Sequence, residues 1–216
     1  NYDDEITKNM ANDKRVNAKV VYFSRLHNLE EGICLDGDEI VLRENGTEIR
    51  VIQKKDLVLL GDHNVENYMA GIAVAYYMGI PMEDIVSVLK TFKGVAHRIE
   101  FVKEVNGVTY YNDSKGTNPD AAIKGIQAMN RKTVLIGGGY DKGVAFDEWI
   151  QAFDGKVKKL ILLGQTAQMI AETAKKYDFT EIEFVDDLKE AVTRCAQIAQ
   201  PGEAVLLSPA CASWGM

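Results

Sequence analysis

Residues 110–120 read YYNDSKGTNPD and bring two carboxylates, a lysine ammonium, two aliphatic hydroxyls and two amides into one short turn. An apolar strand pattern at residues 107–111 precedes the turn, and a helical pattern begins at Ala121. Polar groups between the end of a strand and the start of a helix lie where α/β proteins bind anions and substrates. The same residue types also cap helices, so a well-capped strand-to-helix turn is the alternative interpretation.

After this turn, short apolar strands alternate with helices. The strands are predicted at residues 97–105, 108–112, 133–137, 159–163, 181–185 and 204–208, of which the first two form a hairpin around Asn106-Gly107. The helices are predicted near residues 119–129, 146–153, 166–177 and 188–199. This alternation predicts an α/β fold with a mostly parallel sheet and right-handed crossovers.

The part of the chain before residue 93 has a different pattern. Strands and hairpins are predicted at residues 18–24, 33–42, 44–51 and 56–60. Asp62 or Asn64 is expected to cap a helix that runs to about Met78, and Pro81 begins a second helix. These two helices predict an antiparallel pair that closes a domain.

The segment KGVA at residues 93–96 is predicted to be a linker, so we expect two domains, at residues 1–94 and 95–216. The chain starts without Met and ends in apolar and small residues, SPACASWGM. We therefore expect a fragment of a longer protein.

Composition excludes several classes of function. The net charge is −7 and the lysines and arginines are not clustered, which argues against binding to nucleic acid or to an anionic membrane. No apolar run is long enough to span a bilayer. Three cysteines, Cys34, Cys195 and Cys211, lie far apart, as is typical of a protein in the reducing cytoplasm.

Three polar or glycine-rich turns directly follow predicted strands. They are YYNDSKGTN, GGGYDKGVAF at residues 137–146, and SPACAS at residues 208–213. Since the carboxyl ends of parallel strands share one edge, these turns predict a site for a small polyanionic or zwitterionic ligand. Lys142 would supply a point charge, although a solvated loop lysine is the alternative. The glycines form neither a dinucleotide fingerprint nor a P-loop.

Other polar residues leave two interpretations open. Arg98, after His97 at the predicted domain junction, offers a fork for phosphate oxygens, but an exposed surface pair is the alternative. Asn64 and Asn67 are either ligands or helix caps. Cys211 is better explained as a buried, inert thiol than as a nucleophile.

Five motifs occur in the order LGDHNVEN, VAHRIE, YNDSKGTN, LIGGGYDKG and LLSPACAS. Together they resemble the Mur ligase family, and within it the enzymes that add D-glutamate to UDP-N-acetylmuramoyl-L-alanine. The resemblance spans essentially the whole chain. It implies the end of a central ATPase domain followed by a Rossmann-like, amino-acid-binding C-terminal domain.

The resemblance also implies a reaction and its site. An acyl phosphate formed with ATP and Mg²⁺ is attacked by the amine of D-glutamate, in cytoplasmic peptidoglycan synthesis that supports cell shape and division. The protein would be a monomer, with its metal ligands and P-loop upstream of this chain, so that the fragment alone would be inactive. The implied roles are catalysis for His97 and Lys115, ATP binding for Asn64, Asn67, Arg98 and Asp113, and D-glutamate binding for Thr117, Lys142 and Ser213.

Two positions depart from the family pattern. Gly116 replaces the usual alanine, which we expect to be a harmless change that loosens the turn, and Gly215 replaces the usual aspartate. Two alternatives remain open at this point. One is a sister ligase with a different amino acid, and the other is a Rossmann-like module that binds a small anion without catalysis.

Overall fold

The computed structural model describes residues 1–212, which form two compact units that divide between Lys93 and Gly94. The first unit contains α1 (Glu5–Met10), β1 (Phe23–Ser24), β2 (Gly32–Asp36), β3 (Glu39–Glu44), β4 (Thr47–Gln53), a 3₁₀ helix (Lys54–Asp56), α2 (Asp62–Tyr77) and α3 (Met82–Thr91). The second contains β5 (Glu100–Val105), β6 (Val108–Asn112), α4 (Pro119–Ala128), β7 (Thr133–Gly137), α5 (Asp147–Gln151), β8 (Val157–Leu162), α6 (Ala167–Lys176), β9 (Ile182–Phe184), α7 (Leu188–Ile198) and β10 (Ala204–Leu207).

The first unit is a four-stranded sheet, in the order β1-β2-β3-β4, packed against α2 and α3. The two predicted hairpins are confirmed, since β2, β3 and β4 pair antiparallel. Both hairpin turns use residues with positive φ, among them Gly37 and Gly46, where a side chain would be strained. The apolar faces of β2 and β3 meet α2 in a core that includes Ile33, Ile40 and Met69.

Three predictions for this unit are wrong. The strand expected at residues 18–24 is only Phe23–Ser24. The strand expected at residues 56–60 is absent, since residues 57–60 pair with no other strand. The backbone N–H of Leu59 instead donates to the hydroxyl of Tyr68 at 3.2 Å. Neither Asp62 nor Asn64 caps α2, because Gly61 with φ +93° takes the cap position and both residues lie in the first helical turn.

The second unit is a six-stranded sheet in the order β5-β6-β10-β7-β8-β9. Every neighbouring pair from β6 to β9 is parallel, and β5 joins β6 as an antiparallel hairpin. The predicted α/β fold with a mostly parallel sheet is therefore confirmed. Each residue of β7 is buried, as the continuous apolar pattern of a central parallel strand requires.

One feature of this topology positions the polar turns. The last strand, β10, inserts between β6 and β7, and all three run in the same direction. Their carboxyl ends, and the turns that follow them, are therefore side by side. Among the described helices, none has the length and apolar content needed to cross a membrane.

Candidate functional site

The turn after β6 and the turn after β10 are joined by two hydrogen bonds. The hydroxyl of Ser208 donates to Oδ2 of Asp113 at 2.7 Å, and the backbone N–H of Ala210 donates to the carbonyl of Gly116 at 2.8 Å. Ala210 adopts φ +55°, so the SPACAS turn bends sharply toward the NDSKG turn. The sequence places these two turns almost a hundred residues apart, and the fold brings them into contact.

The glycine-rich turn after β7 is joined to the same structure. The N–H of Gly138 donates to the carbonyl of Pro209 at 2.9 Å, and the N–H of Tyr140 donates to the carbonyl of Ala212 at 2.8 Å. Gly138 has φ +103°, and a Cβ there would lie 2.2 Å from the carbonyl oxygen of Leu163. The glycine is therefore required for close packing of two strand ends. The prediction that the three turns share one edge is confirmed.

Asp113 is the most buried charged group at this edge, with only 4% of its surface exposed. Burial raises the pKa of its carboxyl, while the bonds from Ser208 and from the backbone of Ile99, with the charge of Arg98, offset part of that rise. Since both of its oxygens accept bonds from the protein, at 2.7 Å and 3.1 Å, Asp113 links three segments of the chain.

Gly116 packs directly against this carboxyl group. A Cβ at Gly116 would lie 2.7 Å from Oδ2 of Asp113 and 2.7 Å from Oγ of Ser208. A Cβ at Gly125 of α4 would also lie 2.7 Å from Asp113 Oδ2. The expectation that Gly116 merely loosens the turn is wrong, because this glycine fills a closely packed position.

His97 lies beside the NDSKG turn on a strained backbone, with φ +69°. Its N–H donates to Oε2 of Glu100 at 2.7 Å, and its carbonyl accepts from the N–H of Lys115 at 3.0 Å. The exposed imidazole places Nδ1 3.0 Å from Nδ2 of Asn112. Strain of this kind is typical of functional sites, and the bond from the N–H of Lys115 to the carbonyl of His97 holds the two residues together.

Lys115, Thr117 and Lys142 lie on the joined turns, and Arg98 lies just before β5. Lys115, Lys142 and Arg98 are exposed, and Thr117 is half-buried. The loop that carries Lys142 is closed by a bond from the N–H of Gly143 to Oδ1 of Asp141, at 2.7 Å. Ser213 and Gly215 lie outside the described residues. The structure thus offers ammonium and hydroxyl groups on turns that are fixed relative to one another.

A cleft of about 530 Å³ opens at the carboxyl edge, which is the edge of the sheet formed by the carboxyl ends of β6, β7 and β10. Its lining includes Ser114, Gly138, Gly164, Asp187, Pro209 and Ala212. The sequence interpretation missed Asp187, whose carboxylate accepts from the N–H of Glu190 at 2.7 Å and caps α7. The Asp-x-x-Glu spacing before an apolar helix was the available signal. The sequence interpretation also assigned no role to Ser208 and Asn112, although both lie inside the motifs quoted above.

Cys211 borders the same turns and is buried, as expected. Burial raises the pKa of its thiol, and the hydroxyl of Thr166 lies 3.2 Å from its sulfur. A thiol with a raised pKa stays protonated near neutral pH and is a poor nucleophile. The prediction of an inert buried cysteine is consistent with this environment.

In the first unit, Asn64 and Asn67 lie one turn apart on α2. Asn64 is buried; its amide donates to the carbonyl of Leu60 at 2.7 Å, and its oxygen accepts from the amide of exposed Asn67 at 3.2 Å. Both border an apolar groove of about 400 Å³ between α2 and α3. Its apolar walls include Leu59, Ile80, Ile85, Val88, Leu89 and Phe92.

Within residues 1–212, no group of three or more His, Cys, Asp or Glu side chains has the geometry to hold a metal ion. The described residues therefore supply no complete set of protein ligands for Mg²⁺.

Residues 97–211 match the family model described as Mur ligase, glutamate ligase domain. The chain belongs to the Mur ligase family. Curated Mur ligases resemble it closely. It is 52% identical, over all of its length, to the UDP-N-acetylmuramoylalanine–D-glutamate ligase of Thermoanaerobacter sp. (strain X514). It is 49% identical to the ligase of the same name from Clostridioides difficile (strain 630), again over its whole length. The chain spans 48% and 47% of those two relatives, about half of each.

Solved structures of the Mur ligase family and of related enzymes share the fold. A UDP-N-acetylmuramate–alanine ligase of Thermotoga maritima superposes with a TM-score of 0.60 at 20% identity, covering 81% of this chain and 40% of that one. A folylpolyglutamate synthase of the same organism gives a TM-score of 0.56 at 19% identity, covering 89% and 43%. At such low identity these structures support the fold alone.

Proposed function

We propose that the full-length protein adds D-glutamate to UDP-N-acetylmuramoyl-L-alanine with ATP, through an acyl phosphate. The observation that carries the proposal is the interlocked edge of the second unit. There the turns after β6 and β7 carry Lys115, Thr117 and Lys142, and the turn after β10 is hydrogen-bonded to both. The names of relatives about 50% identical over the whole chain support the choice of D-glutamate.

The residues of this chain act mainly by binding and orientation. The Lys142 ammonium and the hydroxyls of Thr117 and Ser213 hold the two carboxylates of D-glutamate, because ammonium and hydroxyl groups donate to carboxylate oxygens. With the carboxylates fixed, the amine faces the acyl carbon. Orientation of two reactants in this way supplies a large part of the rate enhancement.

Arg98 and His97 lie beside Lys115 and serve the phosphate end of the reaction. Arg98 carries a guanidinium that matches phosphate oxygens, and its charge acts where negative charge develops in the transition state. Asn67, oriented by Asn64, binds the adenine of ATP next to the apolar groove of the first unit. Asp113 is assigned to the same ATP set, with its carboxylate held by the protein.

The wider setting follows from the same proposal. The reaction belongs to peptidoglycan synthesis, in the cytoplasm, with a monomeric enzyme and with an Mg²⁺ site and a P-loop supplied by the rest of the protein. This chain alone would then release no phosphate from ATP.

The proposed function is tested by phosphate release from the full-length protein with ATP, Mg²⁺ and UDP-N-acetylmuramoyl-L-alanine. We expect release with D-glutamate, and none with L-glutamate, L-lysine or meso-diaminopimelate. Release with one of those other amino acids would identify a sister ligase. No release with any of them would reject the ligase and favour a small-anion-binding module.

A further inference from the structure

We propose that Ser208 is a positioning residue for the amino-acid site, because its hydroxyl holds Asp113 and so fixes the turn after β10 against the turn after β6. The inference rests on the proposed function. Ser208 itself contacts no substrate in this proposal. It acts through Asp113 on the residues that follow in the turn after β6, Lys115 and Thr117.

The bond between the two side chains is sealed from solvent. Ser208 is 0% exposed and Asp113 is 4% exposed, and the distance from Oγ to Oδ2 is 2.7 Å. Gly116 and Gly125 lie so close that a Cβ on either would approach Oδ2 to 2.7 Å. The carboxyl group is therefore packed into one position by two glycines and one hydroxyl.

The strands do not need this bond in order to pair. The backbone N–H of Asp113 already donates to the carbonyl of Leu207 at 2.7 Å, and the N–H of Ser208 donates to the carbonyl of Ile136 at 3.1 Å. The side-chain bond comes after these, at the point where both strands have ended. The side-chain bond therefore fixes the directions that the two turns take, which the backbone hydrogen bonds between the strands do not determine.

Loss of the hydroxyl has a local and directional consequence. Oδ2 of Asp113 would be left buried without its side-chain donor, which is costly enough to make the carboxyl group move. Oδ1 would keep its bond to the N–H of Ile99, so the turn that carries Arg98 would be less affected. The displacement should fall on Lys115 and Thr117, and a shift of about 1 Å in a positioning group can cost on the order of 100-fold in rate.

The experiment compares Ser208→Ala with Thr133→Val in the full-length protein. Thr133 is 1% exposed at the start of β7, and its hydroxyl donates to the carbonyl of Arg131 at 3.0 Å. Both variants lose one buried hydroxyl from neighbouring strands, but Thr133 lies at the opposite end of the sheet. The measured quantities are Tm, kcat, and KM for D-glutamate and for ATP.

We expect both variants to lower Tm, and Ser208→Ala alone to raise the KM for D-glutamate by about 10-fold or more. Because Asp113 is also assigned to ATP binding, the KM for ATP should rise as well, but by less, since Oδ1 of Asp113 keeps its bond to Ile99. Ser208→Cys, which keeps a weak donor, should give an intermediate KM and serves as the test variant if Ser208→Ala does not fold. A KM for D-glutamate that matches that of Thr133→Val in every folded Ser208 variant would overturn the positioning role.

The wild-type assay separates this proposal from the one on which it rests. Release with D-glutamate by the wild type, unchanged in the Ser208 variants, would overturn the positioning role alone. Absence of release by the wild type with D-glutamate would overturn both proposals together.

Discussion

The two candidate regions of this chain are held together in different ways. At the carboxyl edge of the second unit, the key bond joins Asp113 to Ser208, 95 positions apart, and three turns are tied by hydrogen bonds. In the first unit, Asn64 and Asn67 lie three positions apart on α2 and bond to each other. One region is built by tertiary structure and the other by a single helix.

This difference predicts a difference in tolerance. A site built from interlocked turns depends on small residues at close approaches and on buried polar partners, so single changes propagate between turns. A site on one helix depends on the regular backbone, and its exposed positions follow helix propensity. Substitutions that are equivalent in chemistry should therefore have opposite effects in the two regions.

The largest expected effect on stability comes from adding one methyl group in each region. Gly116→Ala would place a Cβ 2.7 Å from Asp113 and Ser208, and we expect a loss of about 1–3 kcal/mol. Gly71 lies at an exposed position of α2, where an added Cβ meets nothing within 4 Å, so for Gly71→Ala we expect a gain of about 0.5–1 kcal/mol. Denaturant unfolding measures both. A change of the same sign in the unfolding free energy of both variants would contradict the predicted difference between the two regions.

Within α2, the buried Asn64 should contribute more to the free energy of unfolding than the exposed Asn67. Asn64→Ala removes the donor to the carbonyl of Leu60 in a buried position and should cost roughly 1–2 kcal/mol of unfolding free energy. Asn67→Ala changes an exposed residue, so we expect stability within about 0.5 kcal/mol of the wild type and a raised KM for ATP. A large loss of stability in Asn67→Ala would show that it is structural, contrary to the proposed ATP contact.

The smallest effect concerns pH. Burial raises the pKa of Asp113 above its ordinary value of 3.8, so the folded state holds the proton more tightly than the unfolded state. The stabilisation of the folded state by the protonated carboxyl is fully present below pH 3.8, and it is lost as pH rises through the raised pKa of Asp113. The Tm of the wild type minus that of Asp113→Asn should therefore fall from acid to neutral pH. A difference that rises with pH would contradict the raised pKa.

The sequence was sufficient to predict the parallel sheet and the edge at which the polar turns meet. Apolar strands followed by polar turns specify which end of the sheet is polar, and the strand order then brings the turns after β6, β7 and β10 together. Residues 57–60 show the limit of pattern reading, because an apolar run at the edge of a core is compatible with a strand or with an irregular segment.

The interlocking itself could not be predicted from local pattern. That Asp113 is buried against Ser208, and that Gly116 fills the space beside it, depends on contacts between distant segments. The cap prediction for α2 failed for a related reason, since Gly61 takes the cap position through its positive φ and the polar candidates Asp62 and Asn64 follow it. Propensity describes what each residue permits, and packing decides which option is used.

The central claim is that the carboxyl edge of the second unit holds D-glutamate, and Lys142→Ala in the full-length protein tests it most directly. The control is Lys176→Ala, which removes an exposed lysine from the last turn of α6. Loss of a charge-assisted bond should raise the KM for D-glutamate by about 10- to 100-fold in Lys142→Ala, far more than the KM for ATP, while Lys176→Ala changes neither. Equal changes in both KM values, or none in either, would contradict the account.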